Sequence, residues 1–124
     1  MADLCREVHG ATVLVCGIEG SALRNERDAS HFLSAAWAGN ATCVALPIER
    51  LGPDFFQLHT RMAGEIAQKF VNYHIRLAIV GDISSFQNQS KALRDFVFES
   101  NRGQSLWFAK DWSEFESRLA NEQS

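Results

Sequence analysis

Three largely apolar segments, each closed by a glycine or a polar turn, most constrain how this chain can fold. Each has the length of a strand, and the first is apolar without alternation, which is typical of a strand covered on both faces. The three segments are Thr12–Cys16, Thr42–Ile48 and Ile75–Val80. Between the last two, apolar residues recur at helical spacing, at Met62, Ile66, Phe70 and Tyr73. The sequence therefore predicts a strand–helix–strand unit from Cys43 to Asp82.

The remaining segments extend this alternation in both directions. Leu4–Val8 is close enough to the first apolar segment to pair with it as a hairpin, and Ser105–Ala109 is a last strand. Caps predict three further helices, at Asn25, at Ser90 and at an Asp111–Glu114 capping box. The inner face of the first of these is expected to carry Ala29, Phe32, Leu33, Ala36 and Trp37. The polar stretch from Ile83 to Ser90 is predicted to be a loop.

The predicted fold class is α/β, as a single domain over residues 1–124 with the element order ββαβαβαβα. This order gives a mainly parallel sheet of about five strands with helices on its faces. The first strand is expected to be an antiparallel or edge member. Gly64 lies inside the central helix, where glycine costs about 1 kcal/mol relative to alanine, so a close helix–sheet contact is expected there.

Charge and composition argue against several classes of function. The net charge is -3 and the basic residues form no cluster, which argues against nucleic-acid binding. No apolar run approaches the roughly 20 residues of a membrane span, and no signal-peptide pattern is visible, so we expect a cytoplasmic protein.

The cysteines and histidines show no pattern of a metal or redox site. No two of the cysteines, Cys5, Cys16 and Cys43, form a C-x-x-C pair, which indicates free buried thiols. The histidines lack metal spacing, so neither a metal nor another cofactor is expected.

Two longer stretches carry a resemblance to a known family. One is the helical segment Ala63-Gly64-Glu65-Ile66-Ala67-Gln68-Lys69-Phe70-Val71-Asn72-Tyr73, and the other is the strand Leu77-Ala78-Ile79-Val80-Gly81-Asp82. With these segments the chain closely resembles bacterial domain-of-unknown-function family 4180 from Val13 to Leu119. The family name implies no established activity.

The order of elements is also similar to that of the STAS domain (sulfate transporter and anti-sigma-factor antagonist). That resemblance implies a Ser or Thr at the start of the helix after the third strand, whose phosphorylation controls partner binding. The matching residue here is Thr60, which is therefore a candidate phospho-acceptor. This chain has Leu58-His59-Thr60-Arg61 where the superfamily usually has an Asp-Ser-Ser-Gly-type sequence.

Polar residues that follow the predicted strands are the first candidates for a binding site. In open α/β sheets, ligands bind beyond the carboxyl ends of the strands. This rim is predicted to contain Arg50, His59, Thr60, Asp82 and Ser84. Thr60 has a plain alternative as a helix N-cap, and Asp82 has one as an acceptor of backbone N–H groups in its own loop.

Two weaker patterns fall on the same rim. Cys16, His59 and Asp82 include the residue types of nucleophilic catalysis, although the apolar surroundings of Cys16 would raise its pKa. Gly17 and Gly20 follow a strand, as in a phosphate cradle, but the third glycine and the P-loop lysine are missing. Neither pattern assigns a catalytic residue.

Aromatic residues outside the helical faces have two interpretations. Phe55 and Phe56 are adjacent, so both cannot easily face one core, and Phe86 and Phe98 fall off the apolar faces of their elements. One interpretation is an exposed patch that marks a partner surface or a homodimer seam. The other is a loop folded back on its own aromatic side chains.

The leading functional hypothesis is a regulatory protein–protein interaction module that acts through the Asp54–Tyr73 region. Binding would involve Asp54, Phe55, Phe56 and Arg61, and the polar face of the central helix would be a docking surface. That face consists of Glu65, Gln68, Lys69 and Asn72. The alternatives are a small-molecule-binding domain or enzyme that uses the rim, and a homo-oligomeric accessory protein. The scarcity of catalytic motifs favours a protein partner over a reaction.

Overall fold

The computed structural model describes residues 3–52, 54–57 and 61–123. Within these residues the strands are β1 (Leu4–Val8), β2 (Ala11–Val15), β3 (Cys43–Pro47), β4 (Arg76–Val80) and β5 (Leu106–Ala109). The helices are α1 (Glu26–Ala38), α2 (Met62–Asn72), α3 (Ser84–Asn88), α4 (Lys91–Arg102) and α5 (Trp112–Gln123), and a 3-10 turn covers Ile48–Arg50. None of these helices is long and apolar enough to cross a membrane.

The five strands form one mixed sheet in the order β1-β2-β3-β4-β5. β1 pairs with β2 antiparallel, from Leu4 opposite Val15 to Val8 opposite Ala11. The pairs β2–β3, β3–β4 and β4–β5 are parallel. The predicted α/β domain is confirmed, and the sheet is not purely parallel because its first strand belongs to a hairpin.

Three helices share one face of the sheet. Each crossover advances by one strand in the same direction, and right-handed crossovers then keep their helices on the same side. Phe32 of α1, Phe70 of α2 and Leu93 of α4 all lie in one apolar cluster with every second residue of the strands. The opposite face carries a smaller cluster around Trp107, in which Phe115 of α5 is buried.

Local capping sets three helix starts as predicted. The Asn25 side chain accepts a hydrogen bond from the Asp28 amide at 3.0 Å, and the Ser90 hydroxyl accepts one from the Leu93 amide at 3.1 Å. At α5, the Asp111 carboxylate accepts a hydrogen bond from the Glu114 amide at 2.8 Å. Each bond satisfies an amide that the first helical turn leaves without a partner.

Several side chains lie elsewhere than the sequence pattern predicts. Trp37 is 75% exposed and Tyr73 is 58% exposed, whereas helical spacing predicts both on inner faces. Gly64 makes no close contact with the described residues, because none of their atoms lies within 4 Å of the position a Cβ would take. Cys5 is exposed, in contrast to the buried Cys16 and Cys43.

One loop prediction is wrong, and the start of α2 is only partly described. The segment from Ile83 to Ser90 contains the short helix α3, so the prediction of a plain loop there is wrong. α2 begins at Met62 with Arg61 at its N-cap position, at a φ of 64° and without a side-chain cap. The predicted cap at Thr60 lies outside the described residues.

Candidate functional site

The carboxyl ends of β2 to β5 lie along one edge of the sheet, which is the rim predicted to bind ligands. After β3 and β4 the chain turns toward the face of α1, α2 and α4, because Ile48 and Ile83 pack with that cluster. After β5 it turns toward the opposite face, where Phe115 is buried. Adjacent parallel strands whose connections leave on opposite faces open a crevice between them. Such a crevice therefore lies between the ends of β4 and β5.

Arg50, a predicted binding residue of the rim, is buried and already engaged. The residue is only 2% exposed. Its Nη1 and Nη2 donate to the two carboxylate oxygens of Asp3, at 2.7 and 3.1 Å. Its Nε donates to the carbonyl oxygen of Ser21 at 2.9 Å, and Nη1 donates to that of Gly17 at 3.2 Å. Arg50 therefore fastens the N-terminal strand and the β2–α1 loop together, and its donors do not face an open rim.

The Gly17–Gly20 loop encloses this guanidinium. Gly20 has a φ of +135°, and a Cβ at this position would lie 2.8 Å from Cζ and Nη2 of Arg50. Only glycine fits such a backbone at such an approach. The feature that resembled a phosphate cradle therefore holds a cation supplied by the chain itself.

Asp3 remains ionised opposite this guanidinium. Burial acts to raise the pKa of Asp3, but the hydrogen bonds and positive charge of Arg50 outweigh burial and lower the pKa below 3.8. The guanidinium is thus balanced by a full negative charge at neutral pH.

Asp82 and Ser84, the predicted site residues at the end of β4, are brought together. Asp82 Oδ1 accepts a hydrogen bond from the Ser84 amide at 2.9 Å and another from the Ser84 hydroxyl. These hydrogen bonds lower the pKa of Asp82, and Lys110 adds a smaller electrostatic contribution in the same direction. Asp82 therefore accepts N–H and O–H groups of its own loop and also faces the crevice between β4 and β5.

The crevice between β4 and β5 has a volume of about 270 Å³. Its lining combines apolar residues with charged and amide side chains: Ile83, Val97, Phe108, Asp82, Gln87, Asn101, Lys110 and Glu114 are among them. Within the ranges that the structure describes, no three His, Cys, Asp or Glu side chains are grouped so that they could hold a metal ion.

The adjacent phenylalanines of the predicted contact surface separate into different environments. Phe55 is 1% exposed and belongs to the core. Phe56 is partly buried and stacks on Phe86, with ring centroids 4.5 Å apart at 21°. Phe86 remains 40% exposed, while Phe98, 63% exposed, lies 5.8 Å from the Arg102 guanidinium. Phe56 and Phe86 therefore form a stacked aromatic pair that solvent can reach on the Phe86 side. Both interpretations hold in part, because the segment that carries Phe56 packs on another aromatic side chain and still leaves one ring exposed.

The other predicted binding residues of this region are only partly described. Asp54 and Arg61 are both exposed, on either side of a short gap in the described residues. His59 and Thr60 fall within that gap. Cys16 is buried, and burial raises the pKa of its thiol to about 12, so it lacks the thiolate that a cysteine nucleophile needs.

A second surface, which the sequence does not predict, lies between α1 and α2. Trp37 and Tyr73 line one hollow of about 310 Å³ together with Leu33 and Ile75. A single exposed aromatic side chain is normal, whereas exposed apolar side chains gathered in one patch mark a contact surface. Ser30 and Ser34 complete its wall.

The polar face of α2 continues from this hollow. Glu65, Gln68, Lys69 and Asn72 line a neighbouring shallow hollow with Glu26 of α1 and with Tyr73. Tyr73 therefore belongs to both hollows. An apolar centre and a polar margin are thus adjacent on the same helix pair.

Helical geometry alone predicts that the Trp37 side chain points away from the core. At 100° per residue, Trp37 lies about 90° from the middle of the arc that Ala29, Phe32, Leu33 and Ala36 define. Tyr73 is harder to place, because it follows the last residue of α2 with a φ of -100° and a ψ of 6°. The helical period no longer fixes the direction of its side chain.

Comparison with known proteins identifies a family for this chain. The family model described as "Domain of unknown function (DUF4180)" matches residues 8–119, which is most of the chain. Searches of curated proteins and of solved structures found no match. The chain therefore belongs to the DUF4180 family.

Proposed function

We propose that this chain is a regulatory protein-interaction module with a STAS-like fold, and that its partner binds the hollow between α1 and α2. The observation that carries the proposal is that Trp37 and Tyr73, 75% and 58% exposed, line the same apolar hollow. Trp and Tyr, together with Arg, are enriched among the residues that dominate binding energy at protein interfaces.

The composition of this surface supports a protein partner. Specific interfaces combine an apolar centre with a polar, solvent-accessible rim. Here Trp37 and Leu33 form the centre, and the polar face of α2 forms the rim. Glu26 and Glu65 outnumber Lys69 in that rim. We therefore expect the partner to present an apolar anchor residue with a basic residue beside it.

The regulatory part of the proposal rests on the similarity to STAS domains. An N-terminal hairpin followed by alternating helices and parallel strands is compatible with that fold. Thr60 stays the proposed phospho-acceptor, because a phosphate just before Arg61 would add negative charge beside the start of α2. We propose that Asp54, Phe56, Arg61 and the Phe86 ring form a second contact region.

The proposed setting is the bacterial cytoplasm. Buried Cys16 and Cys43 are free thiols, which supports a reducing compartment. We assign no catalytic role to Cys16, since a buried thiol with a raised pKa offers no nucleophile.

The proposal is tested by comparing Trp37→Ala with Phe98→Ala in affinity capture from the native host, followed by quantitative mass spectrometry. Both positions are exposed aromatics on helices, so the pair is matched for chemistry. Trp37→Ala is expected to reduce recovery of a specific partner at least about ten-fold, as for a dominant interface residue. Phe98→Ala is expected to retain it.

Two results would contradict the proposal. One is equal recovery of every associated protein by the two variants. The other is a wild-type chain that sediments as a dimer and becomes a monomer in Trp37→Ala, because the hollow would then bind a second copy. A substitution at Phe55 is unsuitable for this experiment, since that side chain is part of the core.

A further inference from the structure

The crevice between the ends of β4 and β5 has the features of a separate small-ligand site. It lies where the connections after the two adjacent strands leave on opposite faces, which is the usual ligand position in open α/β sheets. Its volume of about 270 Å³ is just below the range typical of drug-sized ligands. A ligand here would be the size of a single amino acid.

One side of the crevice is an apolar wall. Ile83, Val97 and Phe108 line it and are 7%, 6% and 8% exposed. They also belong to the main core cluster, so they are held in place by packing. A rigid apolar wall of this kind accepts an apolar group of a ligand without having to reorganise.

Charges of opposite sign bound the open side. Asp82 and Lys110 both line the crevice and both are exposed, and they do not form an ion pair with each other. Asp82 uses Oδ1 for Ser84, and within the described part of the chain Oδ2 accepts no hydrogen bond. The nearby carboxylate of Glu114 accepts the Lys110 amide at 2.7 Å.

Asn101, the other polar residue of the wall, is occupied in a structural role. Its Oδ1 accepts the Phe108 amide at 2.7 Å, and its Nδ2 donates to the Phe108 carbonyl oxygen at 3.3 Å. The Asn101 side chain therefore pairs with both backbone hydrogen-bonding groups of Phe108 in β5. The groups left to meet a ligand are Asp82, Lys110, the second carboxylate oxygen of Glu114 and the amide of Gln87.

We infer that this crevice binds a small zwitterion with an apolar side chain, such as a free apolar amino acid. The ammonium of the ligand would pair with the Asp82 carboxylate, its carboxylate with the Lys110 ammonium, and its side chain would lie on the wall around Phe108. A ligand with a single charge would leave one of these two groups without a partner. The lowered pKa of Asp82 is consistent with an anionic carboxylate in this position.

This site goes beyond the proposed protein-interaction function and does not depend on it. Trp37 and Tyr73 line none of the crevice, and Asp82 and Lys110 line neither hollow between α1 and α2. Loss of one binding activity would therefore leave the other measurable.

The test is isothermal titration calorimetry of the full chain with L-phenylalanine and L-leucine, up to about 10 mM because single-residue ligands bind weakly. The comparison ligands are phenethylamine and phenylacetate, which carry one charge each, and N-acetyl-L-phenylalanine amide, which carries none. Saturable binding is expected for at least one of the two amino acids and for none of the comparison ligands.

Asp82→Asn and Lys110→Gln are each expected to weaken that binding at least about ten-fold. The matched controls are Asp95→Asn and Lys91→Gln, which change exposed charges on α4 outside the crevice and should leave it unchanged. Equal binding of the uncharged amide, binding unaffected by both crevice variants, or no saturable binding of either amino acid would overturn the inference. Thermal unfolding of every variant shows that the protein measured is folded.

Discussion

Arg50 illustrates how much a single residue can depend on distant parts of the chain. It follows a strand and is hydrophilic, so the sequence places it on a ligand-binding rim. Its carboxylate partner, Asp3, is 47 residues away in sequence, and its carbonyl partners lie in the β2–α1 loop. No local pattern encodes such a pairing, and therefore the burial of Arg50 could not be predicted from spacing.

Replacing Asp3 tests the role of this ion pair in stability. Asp3→Asn is expected to lower the free energy of unfolding at pH 7 by about 1.5–3 kcal/mol, the range for a hydrogen bond to a charged group. The asparagine keeps one acceptor oxygen but leaves the buried guanidinium without a counter-charge. Urea denaturation measures the change, and Asp95→Asn is a matched control in an exposed pair.

The same pair predicts a pH dependence. The pKa of Asp3 is lowered in the folded state, so its stabilising contribution is complete above the unfolded value of 3.8. That contribution is lost as the pH falls through the lower folded pKa. The stability difference between the wild type and Asp3→Asn should therefore shrink below pH 3.8. A difference that stays constant through this range would contradict the account of Asp3.

At the scale of the elements, local signals were the reliable ones. Asn25 and Ser90 cap their helices through their own side chains, and a capping residue needs only its nearest neighbours. The buried strands were likewise visible as apolar segments. The helix α3 was not predicted, because its five residues carry no buried side chain that would produce a periodic pattern.

α2 carries a glycine that its surroundings do not require. Because a Cβ at position 64 would meet no atom of the described part of the chain within 4 Å, Gly64→Ala should gain the difference in helix propensity. We expect an increase of about 1 kcal/mol in the free energy of unfolding, measured by urea denaturation.

Gly39→Ala is a control in which the same substitution is expected to lower the free energy of unfolding. The added Cβ at the end of α1 would overlap Sγ of Cys5, so this variant should be less stable than the wild type. A loss of stability in Gly64→Ala would show that α2 has a close neighbour at this position.

For the whole molecule, strand order determines where function can lie. Because the strands follow one another in one direction, α1, α2 and α4 lie side by side on one face of the sheet. The hollow lined by Trp37 and Tyr73 lies there, between α1 and α2. Only at the end of the sheet does the chain change faces, which creates the crevice beside Asp82. The sequence predicts the strands but not which helices are neighbours. The hollow between α1 and α2, lined by Trp37 and Tyr73, therefore could not be predicted.

The proposal that a protein partner binds the hollow between α1 and α2 is tested most directly by a photo-activatable cross-linker in place of Trp37, introduced in the native host. The same cross-linker in place of Phe98 is the matched control on α4. The account predicts a discrete cross-linked adduct of this chain with a different protein from position 37, and no such adduct from position 98. The same adducts from both positions, none from position 37, or an adduct of two copies of this chain would contradict it.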